Sequence, residues 1–336
     1  MKLLAIQAAG DLAGQHWQVR GTIKPLPSYA DQNFLIRSSD GDFVLKLANA
    51  GWSHADLDLE NQAMMLLARS EPGYAWPRVQ TAVDGRHILS VDIDGERRQL
   101  RLLSYVPGRT YADAVAGLPR AQRSALQASL GRAVACMNRG LAALHHPAAQ
   151  RAQEWNLLNL PALLDEVVHI GDAPLREMVG RHATAFCAAL PSLAGRLPLC
   201  VLHNDANDLN VIVGEQAEVT AVIDFGDMCT GFRLAELAIA CTYAMQHEED
   251  PVECAQHILR GYLSQGELLP AERESLHAFI VARLCHSILM ATRALRQQPD
   301  NPHILVSQDG VRALLRKLDS VPAGELLMAA TEIPSE

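Results

Sequence analysis

The sequence predicts an α+β protein of two lobes, a small β-rich N-terminal lobe and a larger helical C-terminal lobe, and three observations predict it. The chain has 336 residues with 49% hydrophobic content, and beyond about 300 residues a single core usually divides. Up to Val106 the apolar runs are short and punctuated by Asx-Gly turns such as Val83-Asp84-Gly85-Arg86 and Asp92-Ile93-Asp94-Gly95-Glu96, which is strand and hairpin punctuation. Beyond the breaker pair Pro107-Gly108 the chain turns to long Ala-, Leu- and Arg-rich runs with apolar residues three and four apart, the helical period. The boundary is set at residues 1–104 for the first lobe and 105–336 for the second.

Residues 1–24 carry no chemistry and are expected to pack on the first lobe as a short strand or helix. The turn-rich stretch Ile23 to Asn33 opens on a strand, Phe34 to Arg37, and the turn Ser38-Ser39-Asp40-Gly41-Asp42 leads to a second, Phe43 to Leu47. Lys46 sits in that second strand between apolar neighbours, sharing a face with Val44, where a buried ammonium needs an anion. The next segment offers one. Ser53-His54-Ala55-Asp56 has the form of a capping box and starts a helix, Asp56 to Arg69. Projected at 100° per residue, its apolar arc of Leu57, Leu59, Ala63, Met64 and Leu67 contains Glu60, and a Lys46–Glu60 ion pair satisfies both charges. Strand-like runs follow at Arg78 to Ala82, His87 to Val91 and Gln99 to Val106.

In the second lobe, helices are expected over Pro119 to Leu144, Trp155 to Asp165 and Pro174 to Leu190. His145-His146-Pro147 is read as a helix C-cap, because adjacent histidines diverge and make a poor metal pair. Next comes the most informative stretch, Cys200 to Asp227. Its runs Val211 to Val213 and Val219 to Ile223 flank a Gly-containing polar turn and predict a hairpin. With the turn near Ala217, Asn210 comes to face within a residue or two of Asp224, joining two hard oxygen donors suited to Mg²⁺. Asp205 lies on the loop entering that hairpin, within reach of a substrate hydroxyl. Helices are expected again over Gly231 to Met245, Pro251 to Gln265, Pro270 to Leu295 and Val306 to Leu318.

The pattern His203-x-Asp205-x4-Asn210 with Ile223-Asp224-Phe225-Gly226 resembles the catalytic and metal-binding segments of the protein-kinase-like fold. Its wording, H-N-D-x-N-D-x-N with I-D-F-G-D, is similar to aminoglycoside phosphotransferases and to choline, homoserine and hydroxylysine kinases. The nearest resemblance is to hydroxylysine kinases, through Ser28-Tyr29-x-Asp31-Gln32-Asn33-Phe34, the segment His146-Pro147 to Trp155, Asp224 to Cys229, Arg283-Leu284-Cys285 and Asn301-Pro302. The resemblance implies transfer of the γ-phosphoryl group of ATP or GTP to a hydroxyl of an amino alcohol or hydroxy amino acid. It assigns Asp205 as base, His203 as loop support, and Asn210 and Asp224 as Mg²⁺ ligands. On the nucleotide side it assigns Lys46 oriented by Glu60, the backbone at Ser104 and Val106 against the purine, and the loop from Ser28, which lacks the glycine-rich pattern, against the phosphates. Glu236, where relatives carry Asp, is a bracing candidate. Arg283 and His286 face either an acceptor carboxylate or the core.

With 29 basic against 38 acidic residues and a net charge of −9, neither nucleic acid nor an anionic membrane surface is an expected partner. The acids Asp205, Asp208 and Asp227 instead favour an amine-bearing small molecule. Seven cysteines without a C-x-x-C pair indicate reduced thiols in a cytoplasmic protein. No run of about 18 uncharged apolar residues suggests a membrane span. The alternatives are an aminoglycoside, homoserine or choline kinase, a metal-dependent phosphohydrolase using His203, Asp205 and Asp224, and an inactive nucleotide-binding scaffold.

Overall fold

The computed structural model describes residues 3–28, 31–93, 95–299 and 308–330. The chain divides into two compact units, Met1–Pro107 with Leu144–Ala149, and Gly108–Ala143 with Gln150–Glu336. Tyr29, and Asn301 with Pro302, lie outside the described residues.

The first unit is a twisted antiparallel sheet with a helix on each face. Helix α1 (Ile6–Trp17) precedes β1 (Gly21–Leu26), β2 (Gln32–Ser38) and β3 (Gly41–Leu47). Helix α2 (His54–Ser70) then leads to β4 (Leu89–Ile93) and β5 (Glu96–Ser104), and the strand order is β1-β2-β3-β5-β4. Strand side chains alternate between faces. Phe34, Ile36, Leu45, Leu47, Leu89, Val91, Leu100 and Leu102 therefore fall together on one face and bury against Ala9, Ala13 and Trp17 of α1. The residues between them, Asn33, Lys46 and Arg101, stand in one row on the opposite face, which α2 covers. That helix starts on the expected capping box, with Ser53 Oγ accepting from Asp56 N and Asp56 answering at the Ser53 amide. The turn from β4 to β5 needs Gly95, whose φ of +84° is open to glycine, and Asp92 Oδ1 accepts its N–H at 2.8 Å. The run Arg78 to Ala82 does not form the expected strand; Val79 makes an isolated bridge to Leu103.

The second unit is mainly helical. After β6 (Arg109–Thr110) come α3 (Tyr111–Val115) and α4 (Arg120–Leu141), a 3₁₀ helix over Leu157–His169, and α5 (Ala173–Ala194). The 3₁₀ helix replaces the α-helix expected from Trp155: Pro161 inside it cannot supply the N–H that an α-helical ladder requires. Strands β7 (Leu199–Leu202), β8 (Val211–Val213), β9 (Val219–Val222) and β10 (Cys229–Phe232) form two small antiparallel sheets, β10-β7 and β6-β8-β9. Helices α6 (Arg233–Met245), α7 (Pro251–Leu263), α8 (Pro270–Gln297) and α9 (Gln308–Leu318) complete the unit.

Helices α4 and α7 meet backbone to backbone: a Cβ on Gly131 would lie 1.9 Å from Ile258 O, and one on Gly261 1.9 Å from Ala128 O. Helix α8 is long and apolar enough to cross a membrane, but 72% of that stretch is buried inside the protein. Its Phe279 meets Phe186 and Phe232 edge to face, with centroids 5.1 and 5.6 Å away, a geometry worth about 0.5–1.5 kcal/mol per pair beyond burial.

Candidate active site

In the second unit the site is built on the β8–β9 hairpin and the loop that enters it. Ala217 takes a left-handed φ of +57° at the turn, Val211 pairs with Val222, and Ile223 N donates to Asn210 O at 2.9 Å. Asp224, one residue further on, is thereby delivered to the Asn210 end of the hairpin. Its φ is +63°, a sparsely populated conformation for a residue with a side chain, and it is exposed.

Asp205 is held at both carboxylate oxygens. Asn207 Nδ2 donates to Oδ1 at 2.9 Å, and Asn210 Nδ2 donates to Oδ2 at 2.6 Å and to the Asp205 carbonyl at 3.0 Å. Asn207 Oδ1 in turn accepts from the Leu209 and Asn210 amides, an Asx arrangement that knits the loop shut. Burial pushes the Asp205 carboxyl well above the usual carboxylate range and Asp227 adds to it, while Arg283, with Nη2 at 3.7 Å from Oδ1, pulls it down. A carboxylate of raised basicity, fixed in orientation, is matched to taking a proton from a hydroxyl.

His203 is fully buried. Its Nε2 donates to Ile223 O at 3.1 Å, its Nδ1 accepts from Asp205 N at 3.3 Å, and Phe225 packs edge-on at 4.7 Å. Burial lowers its pKa to about 4, so the ring is neutral and ties β9 to the Asp205 loop. From α6, Glu236 accepts from Asn204 N at 3.0 Å, and burial pushes its carboxyl up to about 7. The longer side chain in place of Asp still braces the loop.

The turn after Asp224 is clamped from the segment that follows His146-Pro147. Arg151 donates to the carbonyls of Gly226 and Met228, Gln153 Nε2 to Asp227 Oδ1 at 2.5 Å, and Asn156 Nδ2 to Thr230 O at 2.9 Å. Arg151 and Gln153 lie in the segment His146 to Trp155 that carries part of the resemblance, which gave them no individual role. Of the acids expected to attract an amine, Asp208 is paired with His247 at 2.6 Å and Asp227 with Gln153. Arg283 and His286 are 1% and 0% exposed. They donate to Trp155 O at 2.9 Å and Glu154 O at 2.8 Å, with Trp155 lying 5.0 Å from the guanidinium and stacked on the imidazole. Both are buried, and Arg283 also reaches Asp205 Oδ1 with Nη2 at 3.7 Å.

Among the described residues no group of three or more His, Cys, Asp or Glu side chains is arranged to hold a metal. The expected oxygen pair, Asn210 and Asp224, lies at one end of the hairpin, where Ile223 N bonds Asn210 O. Asn210 turns its nitrogen onto Asp205, which leaves the amide oxygen directed away from it, and Mg²⁺ shared with a polyphosphate takes one or two such protein oxygens.

In the first unit, Lys46 lies on β3 with Nζ 3.9 Å from Asp31 Oδ2. Asp31 Oδ1 also accepts from Asn49 N and Trp52 Nε1. Glu60 is 2% exposed and forms an ion pair with Arg101 of β5. Ser28 is exposed. Ser104 is bonded within the unit, its amide donating to Arg78 O and its hydroxyl accepting from Arg78 N, both at 2.8 Å. Val106, beyond the last pairing of β5, is buried. His146 does not cap α4, which ends at Leu141. Its Nδ1 accepts from Ala148 N and its Nε2 meets Asp58 at 3.3 Å.

Residues 22–279 match the model of the phosphotransferase enzyme family. A hydroxylysine kinase of Danio rerio is 30% identical over 313 residues, covering 88% of this chain and 85% of its own. Among solved structures, an amicoumacin kinase in complex with AMP-PNP and Ca²⁺ superposes with a TM-score of 0.69 at 16% identity, over 95% of each chain. A microcompartment-associated aminopropanol kinase superposes with 0.66 at 16% identity, over 94% of this chain and 98% of its own; both have the two-lobed kinase-like fold. The chain belongs to the phosphotransferase enzyme family, as an enzyme that transfers phosphate to a hydroxyl.

Proposed function

We propose that this enzyme is a small-molecule kinase that moves the γ-phosphoryl group of ATP or GTP onto the hydroxyl of an amine-bearing acceptor, a hydroxy amino acid of the hydroxylysine type before other amino alcohols. The observation that carries the reading is Asp205, gripped at both oxygens by Asn207 and Asn210. In this mechanism Asp205 takes the hydroxyl proton as the acceptor oxygen bonds to the γ-phosphorus. The bond from that phosphorus to the β–γ bridging oxygen breaks, and the nucleoside diphosphate leaves. His203 keeps the loop in place and does not titrate with the reaction. Asn210 and Asp224 hold Mg²⁺, which when bound offsets the charge on the phosphates. Lys46, with Glu60 behind it on α2, orients the nucleotide phosphates, Ser28 helps to bind them, and the backbone around Ser104 and Val106 receives the purine.

The similarity to a hydroxylysine kinase supports the acceptor class, and seven cysteines outside any disulfide suit a cytoplasmic enzyme. The test is a nucleotide-consumption screen with hydroxylysine, homoserine, aminopropanol, choline and aminoglycosides, using Asp205→Asn as the blank. Acceptor-dependent consumption with hydroxylysine and none in the blank is the expected result. Consumption independent of acceptor, or equal in Asp205→Asn, sinks the reading.

A further inference from the structure

Lys46 does not stand alone on its face of the sheet. Arg101 is its direct partner in the β3–β5 register, so the two side chains leave the sheet on the same side. Both are buried, Arg101 at 1% and Lys46 at 7% exposure. Two neighbouring cations repel, and neither is stable out of water without an anion. The unit supplies two anions, Asp31 beside Lys46 and Glu60 bound by Arg101. Arg101 takes more than the carboxylate: its Nη1 also donates to Leu57 O at 3.3 Å and to Asn61 Oδ1 at 3.1 Å. Residues 57, 60 and 61 form one stripe of α2 at helical spacing. A single planar guanidinium therefore fastens that stripe to the strand next to Lys46, which a lysine's point charge reproduces only in part.

We propose that Arg101 is a positioning residue for the nucleotide: it fixes Glu60 and the inner stripe of α2 against β5, and this sets where the Lys46 ammonium stands. The inference rests on the reading of Lys46 as a phosphate ligand. Arg101 itself is buried, at 1% exposure. Its influence passes through Glu60 and Lys46, so its removal weakens nucleotide use while leaving acceptor use alone.

Arg101→Met strands a buried carboxylate and is expected to unfold the unit, so the informative variants are Arg101→Lys and the charge-matched double change Glu60→Gln with Arg101→Met. Each is compared with Lys46→Met and with the triple variant. Circular dichroism and thermal unfolding report folding, calorimetry gives the Kd for the Mg²⁺–nucleotide complex, and steady-state kinetics with the acceptor found in the screen gives KM for each substrate. Arg101→Lys and the double variant are expected to raise nucleotide Kd and KM by about tenfold or more, the loss of one charge-assisted hydrogen bond, with acceptor KM within about twofold. Adding Lys46→Met to the double variant should cost less than Lys46→Met costs the wild type, since the residues act as one unit. Folded Arg101 variants with wild-type nucleotide KM, beside a defective Lys46→Met, overturn the inference alone. Lys46→Met with wild-type nucleotide KM overturns the reading of Lys46 and the inference together.

Discussion

Glu236 on α6 and Asn204 in the loop before Asp205 are joined by a 3.0 Å hydrogen bond from the Asn204 amide to the Glu236 carboxylate. Asn204 is in the left-handed region, with φ +67°, so this bond holds a backbone conformation that most side chains resist. Its second oxygen, Oε1, is buried without a hydrogen-bond partner among the described residues. Glu236 thus fixes the Asn204 peptide unit next to Asp205.

Because burial raises the Glu236 pKa from 4.5 to about 7, the folded protein keeps a proton that the unfolded chain has lost between those values. Stability contributed by this group is complete below pH 4.5 and is lost as pH rises through about 7, at up to about 1.4 kcal/mol per pH unit. Glu236→Gln keeps an acceptor and cannot ionise. Denaturant titrations at pH 5 and pH 7.5 should show wild type losing stability relative to Glu236→Gln across that interval; parallel curves would refute the raised pKa.

Asn204 is 1% exposed, and both polar atoms of its side chain lack a hydrogen-bond partner among the described residues. An unsatisfied buried polar group costs about 1–3 kcal/mol, and glycine takes φ +67° without penalty. Asn204→Gly is therefore expected to match or exceed wild-type stability. Asn204→Val, β-branched in a left-handed position, should lose about 1–2 kcal/mol or more. The measurement is the urea midpoint of each, and a destabilised glycine variant would show that the side chain has a stabilising role.

The hairpin that brings Asn210 to Asp224 was legible because two β-branched runs around a glycine turn leave little freedom of register. Helix α2 was legible from its capping box. Helix α1 was not: its N-cap is Ala5, without a side-chain bond, so nothing marks its start. Strands β7 and β10 have four residues each and their pairing spans a long stretch of chain, which local periodicity does not report. The lone-charge argument that singled out Lys46 and Glu60 applies equally to Arg101, between Leu100 and Leu102. His146 looked like a helix end because Pro147 follows it, yet the helix stops earlier and the ring turns to Asp58.

The close approach of α4 and α7 makes Gly131 intolerant of any side chain. With only 1.9 Å between an added methyl carbon and Ile258 O, Gly131→Ala must push two backbones apart, which costs about 1–3 kcal/mol. Gly73→Ala, where a methyl meets nothing within 4 Å, serves as the control. Thermal unfolding should show a lowered midpoint for the first and little change for the second. Equal midpoints would mean that the helices separate without cost.

Asn207 contacts no proposed ligand directly, yet its side chain makes three hydrogen bonds in the loop: one to Asp205 Oδ1 and two from the amides of Leu209 and Asn210. Asn207→Ala removes all of them. Asp205 keeps Asn210 on its other oxygen, so the base remains present but turns more freely about its side-chain bonds. Misplaced catalytic groups lose rate more than affinity, and kcat is expected to fall about tenfold to a hundredfold while the nucleotide KM stays within about threefold. Asn207→Asp preserves the acceptor for the two amides but sets a second carboxylate against Asp205 Oδ1, so it should recover stability without recovering kcat. If Asn207→Asp instead restores turnover, the bond from Asn207 to the base is dispensable and the loop turn alone accounts for the loss.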